Sequence, residues 1–220
     1  MPIDHEIDSR NKNIQIYING SFYHRDEAKI SVYDSGFLMG DGIWEGLRLV
    51  NNKWIFIDEH IDRLFEGCKA IDLDIKMTKE DIVNALDETK AINNMSNEVH
   101  ARLMITRGNK SKPFQQPHLS ESGINIVIIM EHSKPSIDVK NITMATVPQV
   151  RGMPMSQDPK LNSHSKLNCI LACIQANKLG ADEALMLDPL GFVNTTNSCN
   201  FFIVKNNQVW TSTGDYCMNG

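Results

Sequence analysis

The densest run of chemically capable side chains lies between Leu161 and Asn168. There Asn162, Ser163, His164, Ser165 and Lys166 set an amide, two hydroxyls, an imidazole and an ammonium directly ahead of an apolar, helix-periodic segment. Backbone N–H groups at a helix start attract anions, and a serine at that place also serves as a plain N-cap; both readings stand on these residues alone. Nucleophilic catalysis by the Ser-His-Ser cluster is disfavoured, because alternate residues of one short segment seldom meet in triad geometry. A second polar run, Thr195-Thr196-Asn197-Ser198-Cys199-Asn200, precedes Phe201-Phe202 and suits a pocket-facing turn or a surface turn equally. Arg63 follows a strand on an apolar-striped helix, where its guanidinium can grip a phosphate or carboxylate with two hydrogen bonds, or form a salt bridge. Arg107 precedes Gly108 at the end of an extended run and so projects into a loop, a usual place for a substrate-binding arginine. Cys169 and Cys173 are four apart on one helix face, but lacking further spaced ligands they read as packing residues, and no metal is expected.

The elements that must position these residues follow from periodicity. Ile14, Ile16 and Ile18 alternate with polar residues up to the turn pair Asn19-Gly20, so a hairpin opens the chain. A second hairpin is expected where Trp44–Val50 and Trp54–Ile57 flank Asn51-Asn52. From Glu59, apolar residues recur at three and four (Ile61, Leu64, Phe65, Cys68, Ile71), the stripe of a half-buried helix. Thr78 and Asp81 form a capping-box pattern ahead of a second helix through Ile82, Ala85, Leu86 and Thr89. Extended runs at Val99–Thr106 and Ile124–Met130 are separated by a loop from Gly108 to Ser122. Beyond a Pro-bearing linker come a strand at Ile142–Val147, an irregular segment, a helix over Lys166–Leu179, and strands at Glu183–Leu187, Phe201–Val204 and Gln208–Thr211. Strands and helices mix without a regular βαβα alternation, so the fold class is α+β with two layers.

At 220 residues the chain suits one large domain or two small ones, and 41% hydrophobic with 22% charged residues is the composition of an ordinary globular protein. A net charge of −5 argues against bulk-charge binding to nucleic acid. The longest apolar run, Ile124 to Met130, is too short to span a membrane. The first ten residues carry Asp4, Glu6 and Asp8 where a signal peptide would be basic and then apolar, and five cysteines without a C-x-x-C pair make no disulfide framework. A cytoplasmic location is expected.

The order Asp34-Ser35-Gly36, Gly40-Asp41-Gly42-Ile43-Trp44-Glu45, Asp58-Glu59-His60-Ile61-Asp62-Arg63-Leu64, Thr106-Arg107-Gly108, Ala181-Asp182-Glu183-Ala184-Leu185 and Asn200-Phe201-Phe202 resembles the class IV aminotransferases. These are the fold type IV pyridoxal phosphate enzymes: branched-chain aminotransferases, D-amino acid transaminases and aminodeoxychorismate lyases. The resemblance implies a small amino-terminal α+β domain (1–131), a linker (132–140) and the first part of a larger cofactor-binding domain (141–220), truncated at its carboxyl end. It implies pyridoxal 5′-phosphate held at the domain interface, a homodimer, and amino acid and 2-oxo acid substrates, with no nucleic acid or membrane partner. On this resemblance Arg63 matches the arginine of the cofactor phosphate, Trp44 a substrate-pocket aromatic, and Arg107 an arginine that in D-amino acid transaminases helps hold the substrate carboxylate. Two positions depart from the pattern. The family's Schiff-base lysine falls on Asn162, and the glutamate that pairs with the pyridine nitrogen falls on Thr195. An amide cannot replace an amine in transamination. Lys166, one helical turn on, is therefore the expected linking and proton-carrying residue, with Lys160 the lesser alternative, and Thr195 and Thr196 are expected at the ring. The first reading is an aminotransferase for branched-chain-like amino acids; the alternatives are an aminodeoxychorismate-type lyase and a non-catalytic homologue.

Overall fold

The structure, a computed structural model, describes residues 8–134 and 141–218. Of these, residues 8–134 with Ser163–Ser165 form one compact unit, and residues 141–162 with 166–218 form another. Most of the expected linker, residues 135–140, lies outside the described residues.

In the first unit, β1 (Gln15–Ile18) and β2 (Ser21–His24) turn at Asn19-Gly20, whose φ values of 50° and 87° are those the dipeptide adopts readily. β3 (Gly42–Val50) and the two-residue β4 (Lys53–Trp54) turn at Asn51-Asn52, and β5 (Val99–Thr106) and β6 (Asn125–His132) complete the sheet. The order is β2-β1-β6-β5-β3-β4, with every neighbouring pair antiparallel. Three helices accompany it: α1 (Ser35–Met39), α2 (Ile57–Ala70) and α3 (Lys79–Ile92). Alternation divides the sheet into two faces. Ile43, Leu47, Leu49, Leu103, Ile105, Ile128 and Met130 are buried in one cluster with Ile61 and Leu64 of α2 and Ile82 and Leu86 of α3. Gly67 permits the close approach of α2, since a Cβ there would lie 3.0 Å from Ile43 Cγ2. The opposite face carries Trp44, Gly46 and Arg48 across from Met104, Arg102 and His100. Between β5 and β6 the chain makes an excursion whose legs are joined by Ser111 N–H to Leu119 O and Glu121 N–H to Asn109 O, and which is tied to the segment before α1 by Lys110 N–H to Tyr33 O. There Gly108, at φ 86°, lies against Gly123 so tightly that a Cβ would collide with the Gly123 carbonyl.

In the second unit, β7 (Met144–Thr146) runs parallel to β8 (Glu183–Leu187), which runs antiparallel to β9 (Val193–Thr196). α4 (Leu167–Lys178) covers this sheet, packing Ala172 and Ala176 against Ala184, Met186 and Val147. A separate hairpin, β10 (Phe202–Lys205) and β11 (Gln208–Thr211), turns at Asn206-Asn207.

The α+β class and most elements agree with the sequence reading, and the differences have local causes. α2 starts at Ile57, two residues before the apolar period begins, because Phe56 at φ 53° ends the extended chain early. α1 is too short for a period to show and is announced only by its cap, Asp34, which accepts from Phe37 N–H. The Thr195 run is no simple turn. Its first residues form β9, where Asn194, Thr195 and Thr196 are buried despite their polarity.

Candidate functional site

Arg63 sits on α2 above the helix-facing side of β3, and the partner it meets there is Glu45. Glu45 occupies an inward position between Ile43 and Leu47 and is fully buried. Arg63 Nε donates to Oε1 at 2.8 Å and Nη2 to Oε2 at 2.7 Å, a side-on pair. His60, one turn earlier on α2, brings Nδ1 to 2.7 Å from Oε2. Burial pushes the Glu45 carboxyl up, but the bonds from Arg63 and His60 outweigh it and hold the group below the ordinary glutamate value. Arg63 keeps its side chain 28% exposed, and among the described residues its Nη1 has no protein partner. The salt-bridge reading of Arg63 therefore holds, and its Nη1 edge is left uncommitted.

Arg107 is placed differently from expectation. Its Nε and Nη2 grip Asp41 at 2.7 and 3.1 Å, while Nη2 and Nη1 also donate to the carbonyls of Ile71 and Asp72 that follow α2, at 2.8 and 2.9 Å. Four of the five N–H donors of a guanidinium are thus committed inside the unit. Burial raises the Asp41 carboxyl, but Arg107 and Ser35 Oγ lower it further than burial raises it. Arg107 braces the end of α2 against the residue that precedes β3.

Trp44 adjoins Glu45 in sequence, so alternation turns it to the other side of the sheet, away from Arg63. Its ring lies under the Arg102 guanidinium, 4.2 Å from centroid to carbon, and its indole N–H donates to Ser163 O at 3.2 Å. Ser163–Ser165 lie along the start of β3: Ser163 forms a bridge with Ile43, His164 N–H donates to Gly42 O at 2.9 Å, and Ser165 Oγ donates to Gly40 O at 3.1 Å. On the same face, His100, Arg102, Arg25, Glu131 and Ile129 line a cavity of about 340 Å³. Burial, and then the neighbouring Arg48 and Arg102 cations, pull the His100 pKa down. The sequence reading missed Glu45, His60, Arg102 and His100. Glu45 had a signal, an acid at an inward position of an apolar-alternating strand, which demands a buried cation. Arg102 and His100 had none, since outward polar residues on a strand resemble solvated surface.

In the second unit Lys166 is the N-cap residue of α4, with no side-chain capping bond, so neither serine takes that role. Asn162 is 5% exposed. Thr195 pairs with Met186, and directly paired residues share a face; Met186 is buried against α4, so Thr195 points toward the helix layer that Lys166 opens. The Thr195 and Thr196 hydroxyls both donate to Cys199 O at 2.8 Å. The Thr195 proton is thereby committed, and its oxygen is left as an acceptor. Among the described residues no cluster of three or more metal-ligating side chains occurs, and no helix is long and apolar enough to cross a membrane.

With this geometry in hand, comparison with known proteins is decisive. The profile described as Amino-transferase class IV matches residues 42–220. This chain belongs to the class IV aminotransferase family. It is similar to branched-chain-amino-acid aminotransferase-like protein 2 of Arabidopsis thaliana, 36% identical over 96% of this chain and 38% of that one. It is also similar to the D-alanine aminotransferase of Staphylococcus haemolyticus, 28% identical over 94% of this chain and 72% of that one. Among solved structures, the branched-chain aminotransferase of the thermophilic archaeon Thermoproteus uzoniensis, crystallised with norvaline, shares the fold. It superposes with a TM-score of 0.83 at 25% identity, covering 94% of this chain and 71% of that one. The chain therefore spans about two fifths of the Arabidopsis relative's length. The class IV family is dependent on pyridoxal phosphate, and the fold type IV architecture anticipated from the residue order is the one present.

Proposed function

We propose that this class IV family member binds pyridoxal 5′-phosphate and moves an amino group between an amino acid and a 2-oxo acid, with Lys166 as the amine that the family requires. The observation that carries the assignment is the placement of Lys166 at the start of α4, the helix covering the sheet face to which Thr195 belongs. The residues suit the cofactor's chemical groups. The open Nη1 edge of Arg63 suits a phosphate, the Lys166 ammonium an aldehyde, and the Thr195 oxygen, with its own proton already given to Cys199, a ring N–H. When bound, the cofactor supplies an electron sink beside the substrate α-carbon. The chain's part is to anchor and to move protons. Arg63 anchors, Lys166 accepts and returns the α-proton, and Thr195 and Thr196 fix the polar edge, Thr195 as acceptor only. That is a weaker stabiliser of a protonated ring than a carboxylate, so slow turnover is expected.

Trp44 offers an apolar wall for an aliphatic side chain. Arg102 and His100 beside it offer donors for a carboxylate, a role better suited to them than to the committed Arg107. The names of the relatives support a branched-chain-like substrate; a homodimer and a cytoplasmic location are part of the same proposal. The test is borohydride reduction of the protein incubated with pyridoxal 5′-phosphate, followed by digestion and mass measurement. A pyridoxyl adduct on Lys166 that vanishes in Lys166→Ala and persists in Lys160→Ala is expected, and an adduct elsewhere overturns the assignment. Asn162, a buried amide at the family's lysine position, favours a second reading in which the same scaffold binds ligand without transamination. Absence of any adduct, with no exchange of label between amino donors and 2-oxo acids, would select it. Adduct formation without label exchange would point to a lyase of the aminodeoxychorismate type.

A further inference from the structure

The pair that Arg63 forms is asymmetric. Glu45 is wholly buried, whereas Arg63 is 28% exposed, so the carboxylate is enclosed while the cation reaches the surface. A side-on pair through Nε and Nη2 leaves the two Nη1 hydrogens uncommitted, and the partial exposure of Arg63 keeps that edge accessible. Both Glu45 oxygens are engaged, Oε1 by Arg63 Nε, and Oε2 by Arg63 Nη2 and His60 Nδ1, so the carboxylate itself cannot rotate. An arginine held by Nε and Nη2 has its plane and direction set, and only the Nη1 side faces outward. We infer that Glu45 is a positioning residue for anion binding: its buried carboxylate, with His60 closing the third side, presents the Nη1 edge of Arg63 to a phosphate monoester. This rests on the reading of Arg63 as the phosphate anchor. Without Glu45 the guanidinium keeps its charge and loses its direction. The expected loss is therefore specific to ligands bearing phosphate.

Pyridoxine 5′-phosphate and pyridoxine separate the two readings, because neither has an aldehyde and their binding is independent of any lysine. Calorimetric titration of the protein and of Glu45→Gln, Glu45→Asp, Arg63→Gln and the Glu45→Gln/Arg63→Gln double variant gives the answer. Glu45→Gln should weaken the phosphate ester on the order of tenfold, as expected for losing one charge-assisted bidentate pair, and leave pyridoxine unchanged. Glu45→Asp, which retains the charge but withdraws it by one methylene, should lose less. The double variant should bind the ester no more weakly than Arg63→Gln alone, since the two residues act through one contact. Equal losses for both ligands, additive losses in the double variant, or tighter ester binding by Glu45→Gln would overturn the inference. If Glu45→Gln does not fold, unchanged ester affinity in Glu45→Asp overturns it as well. A parent protein that shows no preference for the ester removes both the anchor and its positioning. A preference lost in Arg63→Gln but kept in Glu45→Gln removes the positioning alone.

Discussion

At the scale of single residues, burial decides which groups react and which hold the fold. The Cys68 thiol, on the buried face of α2, is pushed up to about 12 by burial, whereas Cys199 is exposed. Iodoacetamide at neutral pH should label Cys199 and leave Cys68 unmodified until the protein is denatured, as peptide mass mapping will show. Glu45 gives a pH dependence with a definite sign. Its folded-state pKa lies below the ordinary value of 4.5, so the unfolded chain binds its proton first on acidification. The stabilisation is complete above the ordinary value and is lost as pH falls through the lowered one. Urea midpoints measured from neutral to acid pH should fall more steeply for the parent than for Glu45→Gln. At neutral pH, Glu45→Ala should cost about 3 kcal/mol by leaving Arg63 without its buried counter-charge and His60 without its hydrogen-bond partner. These residues also show what can be read without coordinates. An inward acid on β3 and an arginine on the next helix are both visible, but their pairing needs the crossing of α2 over β3, which no local pattern encodes. Arg107 shows the converse. Its position at a strand end is legible, and its partners, Asp41 and the carbonyls after α2, are distant in sequence.

At the scale of elements, what is legible depends on how strictly local rules apply. Thr78 forms the expected capping box, accepting from Asp81 N–H while the Asp81 carboxylate accepts from Thr78 N–H. Thr78→Ala should lower stability by about 1 kcal/mol, measurable by denaturant titration, with little effect on ligand binding. The Asn-bearing turns are equally legible, since residues that tolerate positive φ are few. β9 is not, because three buried polar residues have no apolar period, and the burial of Thr195 and Thr196 depends on the Cys199 carbonyl taking both threonine hydroxyls. α4 is visible in its period, but its cap is not the serine expected: the serines ahead of it are drawn to the start of β3, which leaves Lys166 to open the helix.

At the scale of the whole molecule, the two units differ in how completely they enclose apolar surface. The first has a continuous core under α2 and α3, whereas the β10–β11 hairpin of the second leaves Phe202, Ile203, Val204, Val209 and Trp210 between 47 and 76% exposed. A two-stranded hairpin with such faces is marginal by itself and invites association. Light scattering of the 220-residue chain should show concentration-dependent assembly that Val204→Lys or Trp210→Lys reduces. The α+β class and family order are legible over nearly the whole length because they rest on glycines and charged residues at fixed intervals, which need no knowledge of side-chain contacts. Which faces stay bare cannot be read the same way, since apolar residues in a strand look the same whether covered or not.

The glycine contact at the root of the β5–β6 excursion bears on how the molecule can be engineered. With Gly108 and Gly123 clasped and no room for a methyl group between them, the intervening segment behaves as a cassette. Its solvent-facing tip near Phe114 should accept a spliced tag or epitope, since extra length there adds only a slowly growing entropy of closure. A single methyl at Gly108 would be driven into the Gly123 carbonyl and force the base of the cassette to shift, while the Ser111–Leu119 and Asn109–Glu121 backbone bonds still hold its two legs together.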